Sequence, residues 1–234
     1  MKTIDQIKED FTSVLIEVFR KSSLEEVDTG VYLVSTEIAY EVFDIFQSVV
    51  VLIQNNRFAG VKSLIRIMLE NYVYLRYILL EDSERRSNAY KLNIYREMDF
   101  QNSEQNNNSN LEIMKKKDPE LNSLNNLVND NKSEIESYIK ELDSIYGHRL
   151  KPWYNDDKKT KSIKRLFSRV EKSHLYDGIY RYLCLETHGG DGIKHIVMEG
   201  EYTKLQPTLL DKINIENIII NLLEYVTEEL KTLL

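Results

Sequence analysis

Residues 61–79 read VKSLIRIMLENYVYLRYIL. Phe58, just upstream, begins a series continued by Val61, Leu64, Ile65, Met68, Tyr72, Leu75 and Leu79. Those steps of three and four trace one face of a helix, whereas a half-buried strand alternates every second residue. The same period runs upstream through Val34, Ile38, Val42, Phe43, Ile45, Val49 and Leu52. It returns at Ile215, Ile218, Ile219, Leu222, Leu223, Val226 and Leu230. No glycine falls between Val61 and Tyr146, and the three prolines are Pro119, Pro152 and Pro207. A sheet needs more frequent turns than that. The expected fold is all-α: a single-domain bundle over residues 1–234, of about seven to eight helices, with long antiparallel core helices.

Start and stop signals divide the pattern. Helices are expected at about 3–21, 25–54, 57–81, 84–106, 119–146, 158–171, 174–188 and 208–233. Thr3 with Gln6 reads as a capping box, and Asp118-Pro119 and Pro207-Thr208 read as helix starts. The asparagine-rich stretch 101–132 reads as an exposed connection. Residues 189–206 hold four glycines and read as an irregular loop. Loops of that length in compact proteins are often functional. At 234 residues the chain is near the size where one core stops growing.

Composition excludes several function classes. The single cysteine, Cys184, allows no internal disulfide and no cysteine-based zinc site, so a reducing, cytoplasmic setting is expected. The first residues enter an amphipathic pattern directly, without the uncharged core of a signal peptide. The longest apolar run, Val49 to Ile53, is far below the roughly 20 residues that span a bilayer, so no membrane association is expected. A net charge of −7 repels nucleic acid at long range and counts against a DNA-binding module. A local basic pocket remains compatible with it. The four histidines lack metal-ligand spacing, and no phosphate loop, dinucleotide fingerprint or serine elbow occurs. Neither metal nor cofactor is expected.

Two constellations could carry chemistry. Arg66 and Glu70 are four apart on one helix face, flanked by Leu64, Ile65, Ile67, Met68 and Leu69. Opposite charges in such surroundings demand partners. They form either a structural ion pair fixing helix register or a polar site inside the bundle. The second constellation is the helix end carrying Tyr180, Arg181, Cys184 and His188. Tyr180, Cys184 and His188 share a face at steps of four. His188 precedes Gly189-Gly190, where it serves either as a C-terminal cap stabilised as the cation or as a general acid/base. Cys184 reads as a buried, inert thiol. His195, in the glycine-flanked loop, could add a second imidazole, while His148 and His174 read as surface residues. Tyr72, Tyr74 and Tyr77 read as core rather than as a stacking platform.

Three segments together resemble the bacterial helical domain-of-unknown-function family 5677: VKSLIRIMLENYVYLRYIL (61–79), KPWYNDDKKTKSIKRLF (151–167) and YDGIYRYLCLETHGG (176–190). Arg66 and Glu70 match its Arg-x-x-x-Glu helix, Trp153 its tryptophan segment, and Tyr180 and His188 its Tyr-x-x-x-Ser-x-x-x-His helix end. Cys184 stands where serine is usual. A looser likeness is to HEPN ribonucleases, all-helical dimers with an Arg-x(4–6)-His motif. Arg181 and His188 fit its spacing, with Tyr182 where Asn, Asp or His usually follows the arginine. That likeness implies a metal-independent endoribonuclease, a toxin or phage-defence effector acting on RNA as a homodimer, with Arg181 and His188 catalytic. Arg66, Glu70, Tyr180 and His195 are further candidates. The alternative is a non-catalytic helical module that binds a partner protein or small ligand, with Arg66, Glu70, Tyr180 and His188 as a buried network.

Overall fold

The computed structural model describes residues 2–23, 29–107, 132–146, 150–187, 196–199, 202–205 and 209–234. Most of them are helical. In chain order the helices are α1 (Ile4–Ser22), α2 (Thr29–Gln54), α3 (Val61–Leu80), α4 (Ser83–Asn107), α5 (Lys132–Tyr146) and α6 (Ile163–Arg169). There follow α7 (Ser173–Leu175), a π-helical turn (Tyr176–Tyr180), α8 (Arg181–Thr187) and α9 (Leu209–Lys231). The chain divides into two compact units, Met1–Glu84 with Ser162–Leu234, and Arg85–Lys161.

In the first unit, α9 packs against α1, α2 and α3, and α2 lies against α3. The helical stripes meet there. Ile38, Val42, Val49, Ile65, Met68, Leu75, Ile219, Leu223 and Val226 are all buried. Tyr72 and Tyr77 are core as expected, and Tyr74 is half-buried. The Thr3 capping box forms. The Gln6 amide donates to Thr3 Oγ1 at 3.2 Å, and the Thr3 amide donates to Gln6 Oε1 at 2.9 Å. Gly60 caps α3 with a φ of 80°, the left-handed region where a side chain would be strained. The turn into α3 therefore depends on that glycine.

The second unit is held by α4, α5 and the segment after them. Trp153 is buried and meets Tyr90 edge-on at 5.1 Å, while Tyr95 stacks on Tyr138 at 5.6 Å. Arg85 pairs with the buried Asp156 at 3.2 Å, and the Tyr146 hydroxyl donates to the Arg85 carbonyl. Burial, then the Asp156 charge, pushes the Tyr146 phenol up to about 12. The tryptophan segment is thus a structural anchor of this unit.

Two expectations need correction. Residues 189–206 are not irregular throughout. Ile196–Glu199 pairs antiparallel with Tyr202–Leu205, Ile196 opposite Leu205 and Glu199 opposite Tyr202. In sequence, β-branched and aromatic residues such as Ile196, Val197, Tyr202 and Thr203 fit paired strands. The helix expected from residue 158 starts only at Ile163. Lys158 has a positive φ, and the Ser162 side chain caps the Arg165 amide. The helix expected over 84–106 is α4. The helix starts expected at Asp118-Pro119 and Pro207-Thr208 lie outside the described residues.

Candidate functional site

The Arg66–Glu70 pair forms on α3, where its spacing of four puts both side chains on one face. Arg66 Nε donates to Glu70 Oε1 at 2.9 Å. The pair is only partly sealed, with Arg66 25% and Glu70 22% exposed. The second helix end supplies the third member. Tyr180 donates its hydroxyl to the same Glu70 Oε1 at 2.7 Å across a separation of 110 residues. The Arg66 guanidinium also lies 5.3 Å from the centroid of the Tyr180 ring. The three residues form a chain of command in which Tyr180 fixes Glu70, and Glu70 fixes Arg66.

A local irregularity aims Tyr180. The turn Tyr176–Tyr180 is π-helical, and the Arg181 amide closes it by donating to the Tyr176 carbonyl. Such single wide turns recur at functional sites. The Tyr180 ring packs on Phe167 at 5.2 Å and stacks on Tyr176 at 5.3 Å, so its direction is set by packing as well as by its hydroxyl.

The charges follow from this geometry. For Arg66, burial works against the cation, but the hydrogen bond and charge of Glu70 outweigh it and hold the guanidinium above its ordinary value. Burial first, then the Glu70 hydrogen bond and charge, raise the Tyr180 phenol well above that of a free tyrosine. Tyr180 therefore stays a hydrogen-bond donor at neutral pH. Among the described residues only Nε of Arg66 is committed, and its two terminal nitrogens have no hydrogen-bond partner. An arginine tethered by its inner nitrogen with its outer fork open suits an anion with two oxygens.

Arg181 begins α8 and is exposed. Cys184, expected buried, is half-buried. Its neighbour Leu183 turns into the core instead, and Cys184 lies near enough to Arg66 and Tyr180 to interact electrostatically with both. His174 is exposed as expected. His148, His188 and His195 lie outside the described residues. Among the described residues no cluster of three or more His, Cys, Asp or Glu could hold a metal. Among them, too, no helix is long and apolar enough to cross a membrane.

One feature beside this site escaped sequence reasoning. A groove of 310 Å³ is lined by Lys62 and Ile65 of α3, Tyr182 and Leu183 of α8, and Asn214, Asn217 and Asn221 of α9, among others. The Lys62 ammonium lies 4.9 Å from the Tyr182 ring centroid. Its only sequence signal is the spacing of the asparagines by three and four along α9.

A family model described as a family of unknown function, DUF5677, matches residues 32–203. No curated protein and no solved structure matches the chain.

Proposed function

The chain belongs to the DUF5677 family, and from the chemistry of its site we propose that it is a HEPN-like, metal-independent endoribonuclease, acting as a toxin or phage-defence effector. The observation that carries the reading is the Arg66 guanidinium, tethered by Glu70 through Nε and open at its outer nitrogens. A phosphodiester presents the two oxygens such a fork binds. Arg181, exposed and adjacent in sequence to Tyr180, supplies a second cation for the charge that grows on the phosphate.

The reaction needs no metal. A 2′-hydroxyl attacks the neighbouring phosphorus, forming the 2′-oxygen–phosphorus bond as the bond to the 5′-oxygen breaks. His188 of one copy takes the 2′ proton, and the partner subunit's His188 gives a proton to the departing 5′-oxygen. The products are a 2′,3′-cyclic phosphate and a 5′-hydroxyl end. Tyr180 and Glu70 are positioning residues that keep Arg66 aimed.

The test is incubation of the purified chain with a mixed RNA pool, with and without chelator. Wild type cleaves in both. His188→Ala and Arg181→Ala lose activity by about 10²–10⁴-fold with melting curves nearly unchanged. RNA left intact by wild type would sink the reading.

A second reading is favoured by the burial of Tyr180, only 5% exposed. The chain would then be a non-catalytic helical module that binds a partner protein or small ligand, with Arg66, Glu70, Tyr180 and His188 as its structural network. On that reading His188→Ala only destabilises, by about 1–3 kcal/mol, and no cleavage exists to lose.

A further inference from the structure

We infer that the groove between α3, α8 and α9 binds an unpaired RNA base, with adenine preferred, next to the phosphate held at Arg66. The inference rests on the ribonuclease reading and names how its substrate is selected. Lys62, which lines the groove, is one turn from Arg66 on the same face of α3. Along α9, Asn214, Asn217 and Asn221 line the groove on one helix face. Asn214 and Asn221 are exposed and Asn217 is half-buried, so the row stands at the surface of the groove rather than in the core.

The residue types fit a base better than an aliphatic ligand or a simple anion. Each carboxamide offers a donor beside an acceptor, the pattern that pairs with the edge of adenine. Tyr182 is 38% exposed, and the Lys62 ammonium lies 4.9 Å from its ring centroid, so an aromatic surface borders the groove. Unstacked bases of single-stranded RNA are gripped by that combination of aromatic ring and amide edge. The aliphatic floor of Ile65, Leu183, Ile215 and Ile218 supplies the dry surface against which a planar base packs. Duplex RNA hides the same edges and does not fit. The acidic net charge of −7 is consistent with a site that gains affinity from stacking and amide pairing as well as from phosphate contacts.

The experiment measures fluorescence anisotropy of short oligoadenylate and oligouridylate strands carrying 2′-O-methyl groups. These strands cannot be cleaved, because the attacking hydroxyl is blocked. Full-length wild type is compared with Asn214→Ala/Asn221→Ala and with Tyr182→Leu, and circular dichroism confirms that each is folded. Wild type binds oligoadenylate more tightly than oligouridylate. The asparagine double variant, altered only at exposed positions, loses that preference by about tenfold. Tyr182→Leu weakens both strands by a similar factor. Unmodified RNA is assayed for cleavage in parallel. If wild type cleaves RNA and the folded variants bind and discriminate as wild type does, the groove assignment is overturned and the ribonuclease reading stands. If the variants lose binding but wild type never cleaves, the groove stands and the ribonuclease reading falls. If wild type binds neither strand, the groove assignment is wrong.

Discussion

The two ends of α3 are built from the same three residue types and used differently. Toward its start, Arg66 pairs with Glu70 and Tyr180; toward its end, Arg76 pairs with Glu229 beside Tyr72. Both arginines are held above their ordinary value: burial opposes the cation, and the hydrogen bond and charge of the carboxylate outweigh it. Both tyrosines are raised, by burial first and then by the neighbouring glutamate. The difference lies in what each guanidinium joins. Arg76 donates from Nε to the Val170 carbonyl at 2.9 Å and from Nη1 to Glu229 at 2.6 Å, so its nitrogens tie α3 to the end of α6 and to α9. Arg66 spends one nitrogen on its own helix and, among the described residues, leaves its outer fork open. One end is a strut and the other is a socket. An ion pair in an apolar helix does not reveal its role by composition; the role follows from how many donors the fold consumes.

The largest effect is expected at the strut. Glu229→Ala strands Arg76 where the pair is mostly screened from water, with Glu229 12% exposed. Breaking such a pair costs about 3 kcal/mol. For a chain of this size that is a fall in melting temperature of roughly 6–12 °C. Glu228→Ala, which removes an exposed pair with Lys231 inside α9, is the control and costs under about 0.5 kcal/mol. Equal shifts in the two variants would erase the distinction between strut and surface.

A smaller effect is expected at the socket. Tyr180→Phe keeps the ring against Phe167 and Tyr176 but removes the bond to Glu70. The cost is about 1 kcal/mol. RNA cleavage falls with it if Tyr180 positions Arg66 through Glu70. A variant with wild-type cleavage would show that the aim of Arg66 does not depend on Tyr180.

Much of this was legible in the chain and some was not. The spacing of Arg66 and Glu70 within an apolar segment announced a pair, because four residues make one helical turn. The Thr3–Gln6 cap was legible for the same local reason. Tyr180 was a candidate, but its bond to Glu70 spans 110 residues and has no local signature. Arg76 and Glu229 were missed because each, alone on its helix, looks like a solvated charge. The π-turn left no pattern in YDGIY. The hairpin at Ile196–Leu205 was hidden by the glycines before it, which read as loop. The asparagines of α9 looked merely polar until α3 and α8 were seen to border them.

A further effect is expected at alkaline pH. The phenols of Tyr72 and Tyr180 titrate above the ordinary tyrosine value of 10.0 in the folded chain, and Tyr146 at about 12. Below pH 10 these groups are protonated whether folded or unfolded, so their contribution is constant. Above it the unfolded chain releases protons first, and stability falls as pH rises toward the folded values. The urea midpoint should hold steady up to about pH 9 and decline beyond about pH 10. Tyr180→Phe should flatten part of that decline. A midpoint indifferent to pH across this window would contradict the assigned shifts.

The most direct measurement compares Arg66→Gln with Arg76→Gln in two assays at once, melting temperature and RNA cleavage. The expected result is a crossed pattern. Arg66→Gln melts within a few degrees of wild type, a cost under about 1 kcal/mol, and loses cleavage by about 10²-fold or more. Arg76→Gln loses stability as Glu229→Ala does, yet at a temperature where it is folded it cleaves at close to the wild-type rate. Arg66→Gln with full activity, or with a stability loss equal to that of Arg76→Gln, would contradict the account.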